Sequence, residues 1–173
     1  MKKIAIIGPE STGKSTLSRQ LAEHYQTVWC PEYARDYLTQ YGSNYTFGDL
    51  LIIAKGQKAL IEKTVARAAK DFCFIDTEMY VMKVWCEVVF NNCHTWILKE
   101  VARQQYDLFL LCNTDLPWAE DKLREYPDLE MRQRLFHMYK DICINSGVPW
   151  VEIGGQEAER LQQAVRAVDQ MIN

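Results

Sequence analysis

Short apolar runs alternate along the chain with longer stretches in which apolar residues recur every three or four positions. The short runs are continuous, as in strands buried on both faces of a parallel sheet, and the longer stretches have the period of amphipathic helices. The runs predict five strands, at residues 4–7, 27–30, 72–76, 106–112 and 149–153. The periodic stretches predict helices at residues 14–25, 47–70, 79–103 with a break near residues 91–92, and 132–145, and a last helix after residue 155.

This alternation of strands and helices predicts an α/β fold, a three-layer domain around a parallel five-stranded sheet. The 173 residues, of which 48% are hydrophobic, suit one domain over residues 1–173 with a sizeable core. Internal repeats, low-complexity tracts and linkers are absent from the sequence.

The first strand leads directly into a glycine-rich motif. Residues 8–15 read Gly-x-x-x-x-Gly-Lys-Ser between a strand and a helix, which is the phosphate-binding loop (P-loop) of nucleoside triphosphate enzymes. Gly8 and Gly13 permit a backbone that points its N–H groups at phosphate oxygens. Lys14 supplies a charge for the β- and γ-phosphates, and the Ser15 hydroxyl is placed to ligate Mg²⁺. The motif predicts a P-loop NTPase fold with ATP and Mg²⁺ bound by Gly8, Glu10, Ser11, Thr12, Gly13, Lys14, Ser15 and Thr16.

Polar residues follow two other predicted strands, at the edge where open parallel sheets bind ligands. Glu32 and Arg35 follow the second strand, where they are either functional or a solvated ion pair three residues apart. Asp76 closes the third strand, in the position of the usual Mg²⁺-associated acid of P-loop enzymes.

Gln57 lies in the apolar stripe of the long helix predicted over residues 47–70, where an amide either bonds locally or faces a ligand.

The segment after the fourth strand, residues 113–124, is polar and contains a proline and a tryptophan, unlike a buried segment. P-loop kinases use arginines on a closing lid to neutralise the transferring phosphoryl group. Arg124 and Arg132 are therefore candidate catalytic residues, although a solvated charged face gives the same pattern. We interpret Trp85 and Trp96 as core residues or as walls of a substrate pocket.

The composition excludes several kinds of binding partner and site. A net charge of −3 and a pI near 5.7 give no basic surface for nucleic acid or an anionic membrane. No apolar run approaches the ~20 residues of a membrane span, so we expect a cytoplasmic protein. The six cysteines include no C-x-x-C pair and the three histidines lack ligand spacing, so neither predicts a disulfide framework or a transition-metal site.

Four stretches together resemble the ribosylnicotinamide (nicotinamide riboside) kinase domain of bacterial NadR-type proteins. They are GPESTGKSTL (8–17), PEYARDYL (31–38), FIDTE (74–78) and D-x-P-W-x-x-D-x-x-R (115–124). The resemblance covers nearly the whole chain and implies a nucleoside-kinase-like P-loop fold. It further implies that ATP phosphorylates nicotinamide riboside to nicotinamide mononucleotide.

Site residues follow from the resemblance together with the motifs. The expected catalytic residues are Lys14, Glu32, Asp76, Arg124 and Arg132, and Glu32 or its competitor Asp76 orients or deprotonates the acceptor hydroxyl. Trp118 is expected either to stack on the cationic pyridinium ring of nicotinamide riboside or to anchor its own loop. The expected substrate-binding residues are Glu32, Tyr33, Arg35, Gln57, Asp76, Asp115, Trp118 and Asp121.

The chain departs from full-length NadR-type proteins in two respects. It has no helix-turn-helix segment before the P-loop and no H-x-G-H nucleotidyltransferase signature. We therefore expect a kinase without transcriptional repression, with the adenylylation that completes NAD carried out by another protein.

Alternative functions stay open at this point. One is a kinase for another nucleoside or small-molecule acceptor, and another is a nucleotide-switched regulatory ATPase. Residues 113–115 and 76–79 do not match the N-K-x-D and D-x-x-G motifs of GTPases, and an AAA-type motor needs a helical lid domain that this length does not supply. The sequence leaves undecided the donor base, the acceptance of related ribosides, and whether the chain forms a homo-oligomer.

Overall fold

Five parallel strands form the centre of the structure, a computed structural model that describes residues 1–172. Asn173, the last residue of the predicted domain, lies outside the described residues. The strands are β1 (Lys2–Ile7), β2 (Trp29–Cys30), β3 (Phe72–Asp76), β4 (Leu108–Cys112) and β5 (Trp150–Ile153). Their order is β2-β3-β1-β4-β5, which confirms the predicted parallel five-stranded sheet.

The helices are α1 (Lys14–Tyr25), α2 (Tyr33–Tyr41), α3 (Phe47–Arg67), α4 (Met79–Phe90), α5 (Thr95–Arg103), α6 (Leu129–Asn145) and α7 (Glu157–Ile172). They cover both faces of the sheet because side chains of a strand alternate between its faces. Ile4 and Ile6 pack toward α1 and α7, whereas Ala5 and Ile7 pack toward α4 and α6. The three-layer prediction is therefore confirmed.

Strand order reverses at β1, which pairs with β3 on one side and with β4 on the other. In open α/β sheets, ligands bind at such a switch point, beyond the carboxyl ends of the strands. The P-loop begins directly after β1, so the topology brings it between the ends of β3 and β4.

Several element boundaries differ from the sequence prediction. The second strand keeps only two of its four predicted residues, and α2 is a helix where no helix was predicted. The α6 helix begins three residues earlier than expected because the Asp128 side chain caps it, accepting a 2.8 Å hydrogen bond from Met131 N–H. None of the helices in residues 1–172 is both long enough and apolar enough to cross a membrane.

Candidate active site

The P-loop has the backbone conformation that its glycines predict. Gly13 has φ 78° and precedes α1, whose N-terminus directs its dipole and free N–H groups into the loop. Gly8 has φ 137°, and a Cβ there would lie 2.7 Å from the Cys112 carbonyl oxygen at the end of β4. The Lys14 ammonium donates a 2.7 Å hydrogen bond to the Pro9 carbonyl, which keeps its charge within the loop.

Ser15 and Asp76 meet at the base of the loop. The Ser15 hydroxyl donates a 2.5 Å hydrogen bond to Asp76 Oδ2. The Asp76 carboxyl is fully buried, and its pKa is raised by burial and by the nearby Glu32 carboxylate. Its second oxygen, Oδ1, has no hydrogen-bond partner among the described residues.

This pair fits a magnesium ion. Mg²⁺ prefers oxygen ligands and commonly takes one or two protein side chains, completing its shell with water and phosphate. A hydroxyl and an unpartnered carboxylate oxygen beside the P-loop supply that kind of ligand. Within residues 1–172, no group of three or more His, Cys, Asp or Glu side chains is arranged to hold a metal alone.

A cavity of about 190 Å³ extends from the P-loop over α2 and α4. Its α4 wall is apolar, and the Trp85 ring on that wall donates a 2.8 Å hydrogen bond from Nε1 to the Tyr45 hydroxyl. That hydroxyl contacts both carboxylate oxygens of Glu125, at 2.8 and 2.9 Å. Beyond the P-loop, the cavity is lined by Glu32, Ala34, Arg35, Leu38, Val81, Val84, Trp85, Val88, Leu123, Arg124, Glu125, Tyr126, Leu135 and Tyr139.

Residues 119–127, which we call the lid segment, close one side of this cavity. Glu10 of the P-loop accepts hydrogen bonds from the backbone N–H groups of Glu125, at 2.9 Å, and Tyr126. Burial raises the pKa of the Glu10 carboxyl. On the opposite side, Arg35 of α2 forms a 2.9 Å ion pair with Asp121. The lid segment therefore connects the phosphate loop to the helix that follows Glu32.

The two candidate lid arginines both contact Ser11. Arg124 lines the cavity and donates to the Ser11 hydroxyl at 3.3 Å. Arg132 is 2% exposed and donates to the Ser11 carbonyl oxygen at 3.0 Å, so it supports the loop from behind and does not line the cavity. Trp118 has both guanidinium groups near its ring, at 5.8 and 5.7 Å from the centroid. The indole therefore packs against the arginines and is not part of the cavity wall.

Five further residues expected to bind substrate are also outside the cavity lining, and one of them is Asp76, which is fully buried and bonded to Ser15. Gln57 is fully buried and its amide bonds only to protein groups. The ring of Tyr33 packs on Gly56 of α3. The Asp115 carboxylate pairs with Arg160 and accepts a 2.5 Å hydrogen bond from Gly155 N–H, and Asp121 is taken up by Arg35. The polar side-chain groups of Gln57, Asp115 and Asp121 are therefore bonded to other protein groups.

Sequence reasoning missed most of the apolar wall and the lid-segment residues Glu125 and Tyr126. A signal for the wall was present in α4. Met82 and Cys86 face the core on one side of this helix, whereas Val81 and Trp85 face the cavity. A helix with apolar residues on two faces packs one face on the core and has a second apolar face, which here lines the cavity.

The fold and the site together define a P-loop nucleoside triphosphate-binding protein. The P-loop, the Ser15–Asp76 pair and the reversal of strand order at β1 are its distinguishing features. A protein-family model described as "AAA domain" matches residues 3–160, and the chain belongs to this family. The description of the family does not name a reaction.

Comparison with curated proteins confirms the resemblance to NadR-type proteins. The chain is 27% identical to the trifunctional NAD biosynthesis/regulator protein NadR of Escherichia coli K12, over 99% of this chain and 43% of that protein. The NadR of Salmonella typhimurium LT2 is also 27% identical, over 98% of this chain and 42% of that protein. The chain thus spans less than half the length of these relatives.

Solved structures confirm the fold. A NadR protein in complex with NR has a TM-score of 0.82 at 23% identity, over 98% of this chain and 49% of that chain. Deoxyadenosine kinase from M. mycoides has a TM-score of 0.71 at 13% identity, over 97% of this chain and 99% of its own. Thymidylate kinase from Ehrlichia chaffeensis has a TM-score of 0.68 at 14% identity, over 97% of this chain and 98% of its own.

Proposed function

We propose that this chain is an ATP-dependent kinase that phosphorylates the 5′-hydroxyl of nicotinamide riboside to nicotinamide mononucleotide, a step of NAD salvage. The observation that carries the proposal is a cavity in which a P-loop, the Glu32 carboxylate and an apolar wall adjoin one another. The match to NadR proteins, one of them in complex with NR, supports nicotinamide riboside as the acceptor.

The P-loop side of the cavity suits the donor. Lys14 and the backbone N–H groups of the loop would bind the β- and γ-phosphates of ATP, and a NadR protein of similar fold is known in complex with NAD and AMP-PNP. Ser15 and Asp76 would hold Mg²⁺, which when bound neutralises negative charge on these phosphates. Arg124, the arginine of the lid segment that lines the cavity, would neutralise charge on the transferring group.

Glu32 is the better candidate to orient or deprotonate the acceptor hydroxyl. It lines the cavity, and its side chain does not cap α2, so the carboxylate is available to a substrate. Asp76 is fully buried and bonded to Ser15, which suits a metal ligand better than a base. Phosphoryl transfer requires mainly positioning and charge stabilisation, so orientation of the hydroxyl is the larger part of this role.

The far end of the cavity suits a cationic ring. The pyridinium of nicotinamide riboside carries a positive charge, and the face of an aromatic ring attracts cations. The Trp85 ring and the Glu125 carboxylate, which both contact Tyr45, line that part of the cavity. We therefore assign to Trp85 the stacking role, which was one of the two alternatives expected for Trp118.

A kinase for another nucleoside is the second candidate, favoured by the fold match to deoxyadenosine kinase and thymidylate kinase. The deciding experiment is a coupled ADP-release assay with Mg·ATP and a panel of nucleosides. ADP release that depends on nicotinamide riboside supports the proposal. Release with a different nucleoside identifies the second candidate, and release without any acceptor indicates an ATPase.

A further inference from the structure

We propose that Gln57 is a positioning residue that holds Glu32 in the cavity by fixing the backbone on both sides of it. This inference rests on the proposed function, because it concerns the residue that orients the acceptor hydroxyl. Gln57 is fully buried in α3 and does not line the cavity, so it acts on the reaction only through other groups.

The amide of Gln57 bonds to the residues directly before and after Glu32. Its oxygen accepts a 2.7 Å hydrogen bond from the backbone N–H of Tyr33. Its nitrogen lies 3.2 Å from the Pro31 carbonyl oxygen, 3.4 Å from the Asp76 carbonyl oxygen and 3.5 Å from the Cys30 sulfur, and donates to all three. One side chain thus links residues 31–33, which we call the Glu32 turn, to the end of β3, where the proposed metal ligand Asp76 lies.

The neighbouring residue of α3 contributes a second constraint on the same turn. A Cβ at Gly56 would overlap the ring of Tyr33, so this ring packs directly on the backbone of α3. Gly56 therefore sets the side chain of Tyr33 while Gln57 sets its N–H group. Two adjacent residues of one helix hold the residue that follows Glu32.

The turn has little other support. β2 is an edge strand of two residues and ends at Cys30, so sheet pairing does not extend to Glu32. Within residues 1–172, the only other side-chain hydrogen bond to the backbone of residues 31–33 is that of the Cys30 thiol, a weak donor 3.6 Å from the Pro31 carbonyl oxygen. Without Gln57, the Glu32 carboxylate would lose its fixed distance to Asp76 and to the acceptor.

The test is a double-mutant cycle between Gln57 and Glu32, measured as acceptor-dependent ADP release. Gln57→Met keeps the length of the side chain and removes all four of its hydrogen bonds. We expect it to lower kcat by roughly 10- to 100-fold, since a displacement of about 1 Å can cost 100-fold. The KM for ATP should stay within about two-fold, because Gln57 does not contact the P-loop.

In the Glu32→Gln background, the same Gln57→Met change should alter kcat by less than about two-fold, because a residue that acts through Glu32 has nothing left to position. An equal loss in both backgrounds would overturn the proposal, and so would a wild-type kcat for Gln57→Met. Thr64→Val removes a buried hydroxyl from the same helix, which donates to Leu60 O at 2.8 Å and has no hydrogen bond to the backbone of residues 31–33, and should leave kcat unchanged.

Gly56→Ala provides a second route if Gln57→Met does not fold. Displacing the Tyr33 ring should lower kcat in the wild-type background and not in the Glu32→Gln background. Persistence of its effect without the Glu32 carboxylate would likewise contradict the proposal. Failure of the proposed function is recognised separately, because it would leave the wild-type protein without riboside-dependent ADP release.

Discussion

The Ser15 hydroxyl lies 2.5 Å from the Asp76 carboxylate, which joins the P-loop to the end of β3 across 61 residues of sequence. Parallel pairing accounts for this contact, because Asp76 is in register with Ile6, one residue before β1 ends. The residue that follows the P-loop lysine and the last residue of β3 are therefore brought together by the sheet itself. A metal ion bound here would sit between the two motifs that the sequence identifies most clearly.

Lys14→Ala should abolish nearly all phosphoryl transfer and leave the fold intact. The Lys14 ammonium donates to Pro9 O of its own loop, and this carbonyl also accepts a hydrogen bond from the Thr12 hydroxyl, so removal of the ammonium does not leave it unpaired. ADP release measures the loss, and the melting temperature verifies the fold. Lys63→Ala, on the exposed surface of α3, is the matched control. An unchanged turnover of Lys14→Ala would refute phosphoryl transfer at the P-loop.

Asp76→Asn and Glu32→Gln should differ in their response to Mg²⁺. An amide at residue 76 weakens a metal ligand, so raised Mg²⁺ should restore part of the kcat of Asp76→Asn. Raised Mg²⁺ should not rescue Glu32→Gln, whose defect is loss of the group that orients the acceptor. A Mg²⁺ titration of ADP release at saturating ATP measures both, and the opposite pattern would exchange the two roles.

The sheet and its helices could be predicted from the sequence because each depends on local patterns. Continuous apolar runs identified β1, β3 and β4, and an apolar run interrupted by Glu152 identified β5. The backbone conformation of the P-loop followed from Gly8 and Gly13. The edge strand β2 was overestimated, since Thr27 and Val28 have strand-like side chains but lie beside β3 without extending the strand. Propensity does not reveal how far an edge strand pairs.

The cavity could be predicted only in part, because its walls come from distant segments. Trp85 and Glu125 meet through the Tyr45 hydroxyl, and no local pattern relates these three residues. For Gln57 the local pattern was visible in the sequence, but it had two possible meanings. An amide among apolar positions indicates either a ligand or a buried backbone group that needs a partner, and here the partner is the turn around Glu32.

Glu10→Ala should weaken acceptor binding more than ATP binding. The Glu10 carboxylate accepts the N–H groups of Glu125 and Tyr126, and charge-assisted hydrogen bonds of this kind are stronger than neutral ones. Their loss should free the lid segment and raise the acceptor KM by about 3- to 10-fold, on the order of 1 kcal/mol.

Amide hydrogen exchange gives an independent measure of the same change. Residues 119–127 should exchange faster in Glu10→Ala, while the amides of β1 and β4 stay protected. Glu130→Ala, an exposed residue in the first turn of α6, is the control and should change neither the exchange nor the KM. Wild-type protection of the lid segment in Glu10→Ala would show that Glu10 does not hold it.

The last prediction separates Trp85 from Trp118. Trp85 lines the cavity, so Trp85→Leu should weaken nicotinamide riboside binding by about three- to thirty-fold, the range of a cation–π contact, with little change in ATP affinity. Trp85→Phe should recover part of this loss, because a smaller aromatic face remains even though the hydrogen bond to Tyr45 is removed.

Trp118→Leu should act differently, because this ring lies against Arg124 and Arg132 and outside the cavity. Removing the ring loosens both guanidinium groups, so we expect a lower kcat with an unchanged KM for the riboside. Isothermal titration with the riboside and steady-state kinetics on both variants measure the two effects. A stronger dependence of riboside binding on Trp118 than on Trp85 would return the stacking role to Trp118, and it would require the Trp118 ring to turn into the cavity when the acceptor binds.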